Sequence, residues 1–284
     1  MNRDNRILQI LITLFMVIPA SGTPVTAQWT MGARNIAMGQ AYTALPSDTW
    51  AIFHNPAMMD SSERRFSAFA IRYYGLKELE DHAAVISLPL STLSESYNMI
   101  ISGGIHSYGY SLYRETRLLA GGAIRVRPLR AGLTMRYNHL RISGYGSNGS
   151  ILFDAGLALE IAEGITLGYR WLNIFQDGFP PGGNDPDETP LYPAEMAAGL
   201  SWRLAHGLLI STEILKDALH PFTIRSGLEA EVYSKVYLRG GWTSRPFTWS
   251  AGTGLQISAI IVSIAVQKHE VMGLSPGFDC TFTF

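Results

Sequence analysis

The stretch ILFDAGLALEIA, residues 151–162, alternates with period two: Ile151, Phe153, Ala155, Leu157, Leu159 and Ile161 fall on one side, Asp154, Gly156 and Glu160 on the other. Successive side chains of a strand point to opposite faces, so this is a strand with one greasy and one polar face. ITLGYRW (165–171) repeats the pattern, as do AEMAAGLSWRL (194–204) and FTIRSGLEAEV (222–232). Across these and similar stretches the polar face gathers Arg125, Arg127, Arg136, Arg170, Arg203, Arg225 and Arg239. It gathers acids in comparable number: Asp154, Glu160, Glu195, Glu213, Glu229 and Glu231. Opposite charges on one face can neutralise one another. A soluble sandwich would expose that face to water, whereas a transmembrane barrel would turn it to the lumen and give the apolar face to lipid.

Three features point to the barrel. Tyr137, Trp171, Trp202, Trp242 and Trp249 stand near strand ends, where an interfacial girdle places aromatic residues. The connections alternate in length: AEG (162–164), AHG (205–207) and YSK (233–235) are tight, while RISGYGSNGS (141–150) and FQDGFPPGGNDPDETPLYP (175–193) are long. Short periplasmic turns and longer outer loops give that rhythm. Finally, FDCTFTF puts Phe278, Cys280, Phe282 and Phe284 on one face. That ending resembles the aromatic signal by which the barrel-assembly machinery of bacteria reads outer-membrane proteins.

The expected fold is therefore all-β: a transmembrane antiparallel barrel of about fourteen strands, with starts near residues 64, 81, 97, 118, 130, 150, 164, 193, 207, 222, 235, 248, 260 and 276. An even count puts both chain ends on one side of the membrane. The 284 residues are 47% hydrophobic and 16% charged with a net charge of -1, and no Lys/Arg run appears, so no nucleic-acid partner is expected. Arg3 and Arg6, the apolar run from Ile7 to Ala20 and the small residues Val25, Thr26 and Ala27 read as an export signal over residues 1–27. The single Cys280 forms no internal disulfide, and no cysteine follows the apolar run to carry a lipid anchor. Bacterial outer membrane, with outer-membrane lipid around the barrel, is the expected location.

Residues 28–63 do not alternate. A barrel of this size encloses more space than its own side chains fill, so this segment is expected to plug it, leaving 64–284 as the barrel. Within it, Asp48 or Ser47 can cap one turn through Trp50 and Phe53, and Asn55 a second with Pro56 at its first position. One or two helical turns follow. Gly32, Arg34, Met38, Gly39, Asp48, Asn55, Pro56 and Ala57 together resemble the N-terminal signature of FadL-type and PorV/PorQ-type outer-membrane proteins, with Gln40 where a second glycine is usual. The resemblance implies a fourteen-stranded barrel with a lumenal hatch. It further implies passage or capture of hydrophobic, long-chain fatty-acid-like molecules, or, in the PorV/PorQ branch, an accessory role in secretion with exported proteins as partners. A structural barrel without transport is a third reading.

Enzyme chemistry finds little footing. No Gly-x-Ser-x-Gly occurs, and His106 and Ser107 are strand neighbours that face opposite ways. The seven histidines lack ligand spacing, and Asp185, Asp187 and Glu188 lack the glycine and distal glutamate of a calcium loop, so no metal or cofactor is expected.

Overall fold

In the computed structural model the chain is described over residues 30–59, 62–94, 97–175, 192–204, 207–217 and 220–284. The expected export signal (1–27) and Asp185, Asp187 and Glu188 of the long connection lie outside the described residues. Fourteen strands form one closed barrel in chain order. They are β1 Arg65–Arg72, β2 Glu80–Ser94, β3 Tyr97–Gly109, β4 Tyr113–Val126, β5 Leu129–Ile142, β6 Gly146–Ala162 and β7 Ile165–Leu172. The second half comprises β8 Glu195–Arg203, β9 Leu208–Asp217, β10 Thr223–Tyr233, β11 Val236–Ser244, β12 Phe247–Ile257, β13 Ile260–His269 and β14 Gly273–Thr283. Every pair is antiparallel, and β1 closes on β14 with Phe66 opposite Phe282 and Phe69 opposite Asp279.

The alternation decides which way each strand faces. Ile151, Phe153 and Leu157 point outward, and Leu157 is exposed, while Leu152, Asp154, Gly156 and Ala158 are buried inside. In β14, Phe278 and Phe282 are exposed outward, and Asp279 and Thr281 are buried inward. An outward band of bare Leu, Ile, Phe and Trp around a closed, fully paired sheet is the form a β protein must take to cross lipid, because no backbone edge is left unpaired. Among the described residues no helix is long and apolar enough to cross a membrane.

Strand starts fall close to those read from the sequence except at β4 and β6, which begin at Tyr113 and Gly146 rather than near 118 and 150. Arg114, Thr116 and Asn148 do not follow the apolar alternation, yet their backbones pair with Arg141, His139 and Leu140. Ladder pairing ignores side-chain polarity once a strand rises beyond the lipid band. As a result 141–150 is not a long loop: only residues 143–145 separate β5 from β6.

The barrel has a turn end and a loop end. Tight connections at 127–128, 163–164, 234–235 and 258–259 lie at the turn end, together with Arg65 and Phe284. Short turns mark the periplasmic side of such barrels. Residues 30–59 lie inside the wall as one five-residue helix, α1 Ala33–Ala37, and two 3-10 turns, Ala51–Phe53 and Pro56–Met58. Met31, Ile36, Trp50, Ile52 and Met58 pack on Phe69, Ile71, Val85, Ile100 and Leu119 to form the main apolar core. The core is thus the interface between this segment and β1–β4.

Candidate functional site

On the opposite wall the segment lies directly on backbone. Three cross-strand pairs of inward glycines face it: Gly132 opposite Gly156, Gly168 opposite Gly199, and Gly227 opposite Gly241. A Cβ on Gly156 would sit 1.9 Å from Asn55 Oδ1, one on Gly168 2.2 Å from the Thr43 carbonyl oxygen, and one on Gly227 2.2 Å from that of Met38. The segment is equally bare where it touches. Gly39, at φ 63°, has no room for a Cβ against Trp242 N at 2.4 Å, and Gly32, at φ 91°, has none against the Trp50 ring at 2.3 Å. Gln40 also holds a left-handed φ of 63°.

Wall side chains then satisfy the backbone that the segment brings in. Ala33 N–H donates to Asp279 Oδ2 (2.7 Å) and Thr43 N–H to Glu213 Oε2 (2.9 Å). Ser211 donates to the Ala41 carbonyl (2.7 Å) and Thr243 to that of Gly39 (2.9 Å). Arg34 makes the strongest tie: its Nε and terminal nitrogen each donate at 2.7 Å to the two oxygens of Glu229, which also accepts from Arg239 at 2.7 Å. One carboxylate between two guanidiniums, one of them bidentate, is a strong charge-assisted arrangement.

Asp48 does not reach the wall. Its carboxylate turns back into the segment, accepting from Trp50 N–H (2.9 Å) and from the Asn35 amide (3.1 Å). It also faces His54 Nδ1 at 3.3 Å. Met31 N–H donates to His54 Nε2 at 3.1 Å, so the imidazole carries its proton on Nδ1 and is neutral. Burial pushes the His54 pKa below its ordinary value, and the Asp48 carboxylate opposes that shift. Asn55 performs its cap through Ala57 N–H, which donates to its Oδ1 (3.1 Å), while its amide donates to the Thr43 carbonyl (2.6 Å). Pro56 opens the turn, Ala57 is buried within it, and Met38 is buried against Tyr42, Leu45 and Leu209.

The wall charges sort into pairs between neighbouring strands, except that Arg125 of β4 reaches past β5 to Glu160 of β6. Arg125 bonds Glu160 (3.0 Å), Arg136 bonds Asp154 (2.7 Å), and Arg170 bonds Glu195 (2.7 Å). Arg225 bonds Glu213 (3.0 Å), and Arg170 also lies 4.6 Å from the Tyr42 ring centre, so this cluster reaches the segment. Arg127, expected on the lumen wall, stands instead in the exposed β4–β5 turn, because Val126 ends the strand ahead of Pro128, which has no N–H to donate to a ladder. Arg203 is the last residue of β8 and is exposed at the turn end. Phe278, Phe282 and Phe284 all face outward and are exposed. A second buried group, His106 hydrogen-bonded to Asp81 with Tyr73 donating to Asp81 at 3.5 Å, escaped sequence reading because its members come from β3, β2 and the connection ahead of β2.

Among the described residues, two cavities border the segment. The outer, at the loop end, has a volume of about 430 Å³ and rests on Thr30, Ile36 and Gln40. Tyr73, Tyr74, Tyr108 and Met272 form one side of it. The inner, at the turn end, measures about 310 Å³ and is bounded by Arg34, Asp48, Arg65, Arg203, Glu229 and Arg239. The segment thus divides an aromatic vestibule from a charged one.

No family model matches the chain, and no curated protein does. Solved structures do match in fold. CymD, a monoaromatic hydrocarbon channel, superposes with a TM-score of 0.64 at 10% identity, covering 89% of this chain and 97% of its own. The toluene transporter TodX of P. putida gives 0.59 at 10% identity, covering 89% and 98%. A FadL homologue of Pseudomonas aeruginosa gives 0.57 at 12% identity, covering 93% and 99%. The chain shares the fold of these FadL-type barrels.

Proposed function

We propose that the protein is an outer-membrane channel for hydrophobic small molecules, with residues 30–59 as its hatch. The observation that carries this reading is the pair of cavities on opposite faces of one segment inside a closed barrel. A solute held in the outer cavity is one segment's thickness from the inner one, and displacement of that segment joins them. Toluene transport by TodX and monoaromatic hydrocarbon passage through CymD, two of the fold neighbours, support the same direction. A long-chain fatty-acid-like solute is the finer version suggested by the N-terminal signature. Residues 1–27 would direct export and be removed, and the outward Phe278, Phe282 and Phe284 would serve barrel assembly.

The test is removal of residues 30–59 from the mature protein. In planar bilayers the shortened barrel conducts steadily where the intact protein stays closed, since a barrel between ~8 and ~16 strands leaves free lumen once emptied. A shortened, folded barrel that remained impermeable would overturn the hatch. Exported proteins co-purifying with the intact barrel, with no small molecule, would shift the reading to a secretion accessory.

A further inference from the structure

We propose that the pathway is built for compact organic anions, an apolar or aromatic body carrying one carboxylate- or sulfonate-like head, rather than for neutral hydrocarbons; this rests on the channel reading above. The argument begins with the arginines. Arg136, Arg170, Arg225 and Arg239 are each held by an acid on a neighbouring strand. Arg245 in the outer cavity and Arg203 in the inner one face no carboxylate within ion-pair distance among the described residues. Each cavity therefore has one uncommitted guanidinium, a planar donor fork suited to an oxyanion.

The remaining outer groups fit such a ligand. Asp217 is the acid lining this cavity, and it is engaged by the His220 backbone N–H (2.5 Å) and ring Nδ1 (2.9 Å), which limits its repulsion of an incoming anion. Arg245 comes from the β11–β12 turn and Tyr73 and Tyr74 from the connection between β1 and β2, so rings and head have separate partners. About 430 Å³ is in the range of small-molecule sites. The route onward is polar too. Strand pairing is continuous from β1 to β14 and back, with register shifts at Leu90/Ser94, Glu160/Ala162 and Glu231/Tyr233, beside turn-end connections. The solute leaves through the inner cavity, where a wholly apolar body would displace the hydration of Arg34, Glu229 and Arg239 without replacing it. A head group that Arg203 receives offsets part of that penalty, in a cavity where four arginines stand beside four carboxylates.

Equilibrium dialysis of the detergent-solubilised full chain against three probes tests this: benzenesulfonate, toluene and hexadecanoate. Benzenesulfonate should bind at least about tenfold tighter than toluene, the scale of one charge-assisted hydrogen bond. Arg245→Gln should remove that advantage and leave toluene unchanged, and Arg245→Lys should keep part of it. In proteoliposomes Arg203→Gln should slow benzenesulfonate passage without altering its binding. Toluene binding as tightly as benzenesulfonate, hexadecanoate outcompeting both, or Arg245→Gln without effect would overturn the assignment to compact anions while leaving the channel reading standing. Failure of all three probes to bind would overturn the channel reading as well.

Discussion

Three tyrosines, Ile36 and Met272 help line the outer cavity, whereas four arginines and four carboxylates help bound the inner one. Both are enclosed by the same barrel and share one divider, so the contrast arises from how that divider is fastened. Along the barrel wall the segment is held by packing on β1–β4 and by backbone contact with glycines of β5–β8, β10 and β11. On its inner side it is held by the Arg34–Glu229–Arg239 cluster. Packing contacts are short-ranged and yield gradually, while a charge cluster releases only when water or another charge replaces a partner. The contrast therefore assigns the lock to the inner face and the seat to the barrel wall.

The heaviest blow to that arrangement is Glu229→Gln, which leaves Arg34 and Arg239 side by side with no acid between them. We expect a loss of about 3 kcal/mol in the hold on the segment, the low end for a broken buried pair because Arg34 borders the inner cavity. Hydrogen exchange read over residues 30–59 should show lost protection there and little change in β2–β6. Unchanged protection would mean that packing alone holds the segment, and the distinction between lock and seat would fall.

Next in size is Gly156→Ala, aimed at the seat. The new methyl meets Asn55 Oδ1, so the 55–57 turn must lift or the wall must bend, at about 1–3 kcal/mol as for an overpacked core. Bilayer recordings should show brief openings absent from the parent protein. Outward-facing Ala155→Gly, next to it on the lipid side, is the control and should remain silent. Smaller again is Asn55→Ala, which loses the cap on Ala57 and the bond to Thr43, about 1–2 kcal/mol together. Protection of the Ala57 amide should drop while that of Ala33, fastened by Asp279, persists.

The sequence made much of this legible and some of it not, for physical reasons. Facing was readable because it is local: Ile151 to Ile161 reveal their face from neighbours two residues away. Pairing was not, because it depends on register across the closed sheet. Arg34 finds Glu229 195 positions away, and nothing in either neighbourhood announces the partner. Gly132, Gly156, Gly168, Gly199, Gly227 and Gly241 were visible as inward positions, yet a missing side chain says only that something approaches, not what. Arg127 shows the converse limit. Parity alone put it inside, but the strand had already ended at Val126.

The gentlest way to loosen the divider is protonation of His54. The neutral ring is specified by its contacts: Nε2 accepts from Met31 N–H and Nδ1 points at Asp48, beside Asn35. Tyr42 stacks on the ring at 4.0 Å, with Arg170 on Tyr42 and Glu213 nearby in the same cluster. Burial lowers the pKa in the packed segment, so the displaced segment, with His54 in solvent near 6.5, binds the proton more readily. Packing is therefore at full strength above about pH 6.5 and weakens as pH falls, by roughly tenfold in protection per unit until the packed-state pKa is reached. The amide of Met31 should respond first, since a second proton on the ring turns its acceptor into a donor. His54→Gln retains an acceptor and does not titrate, so the pH dependence of Met31 protection should flatten in that variant. An equally steep fall in His54→Gln would move the proton-sensitive group elsewhere, with buried His106 beside Asp81 the next to examine.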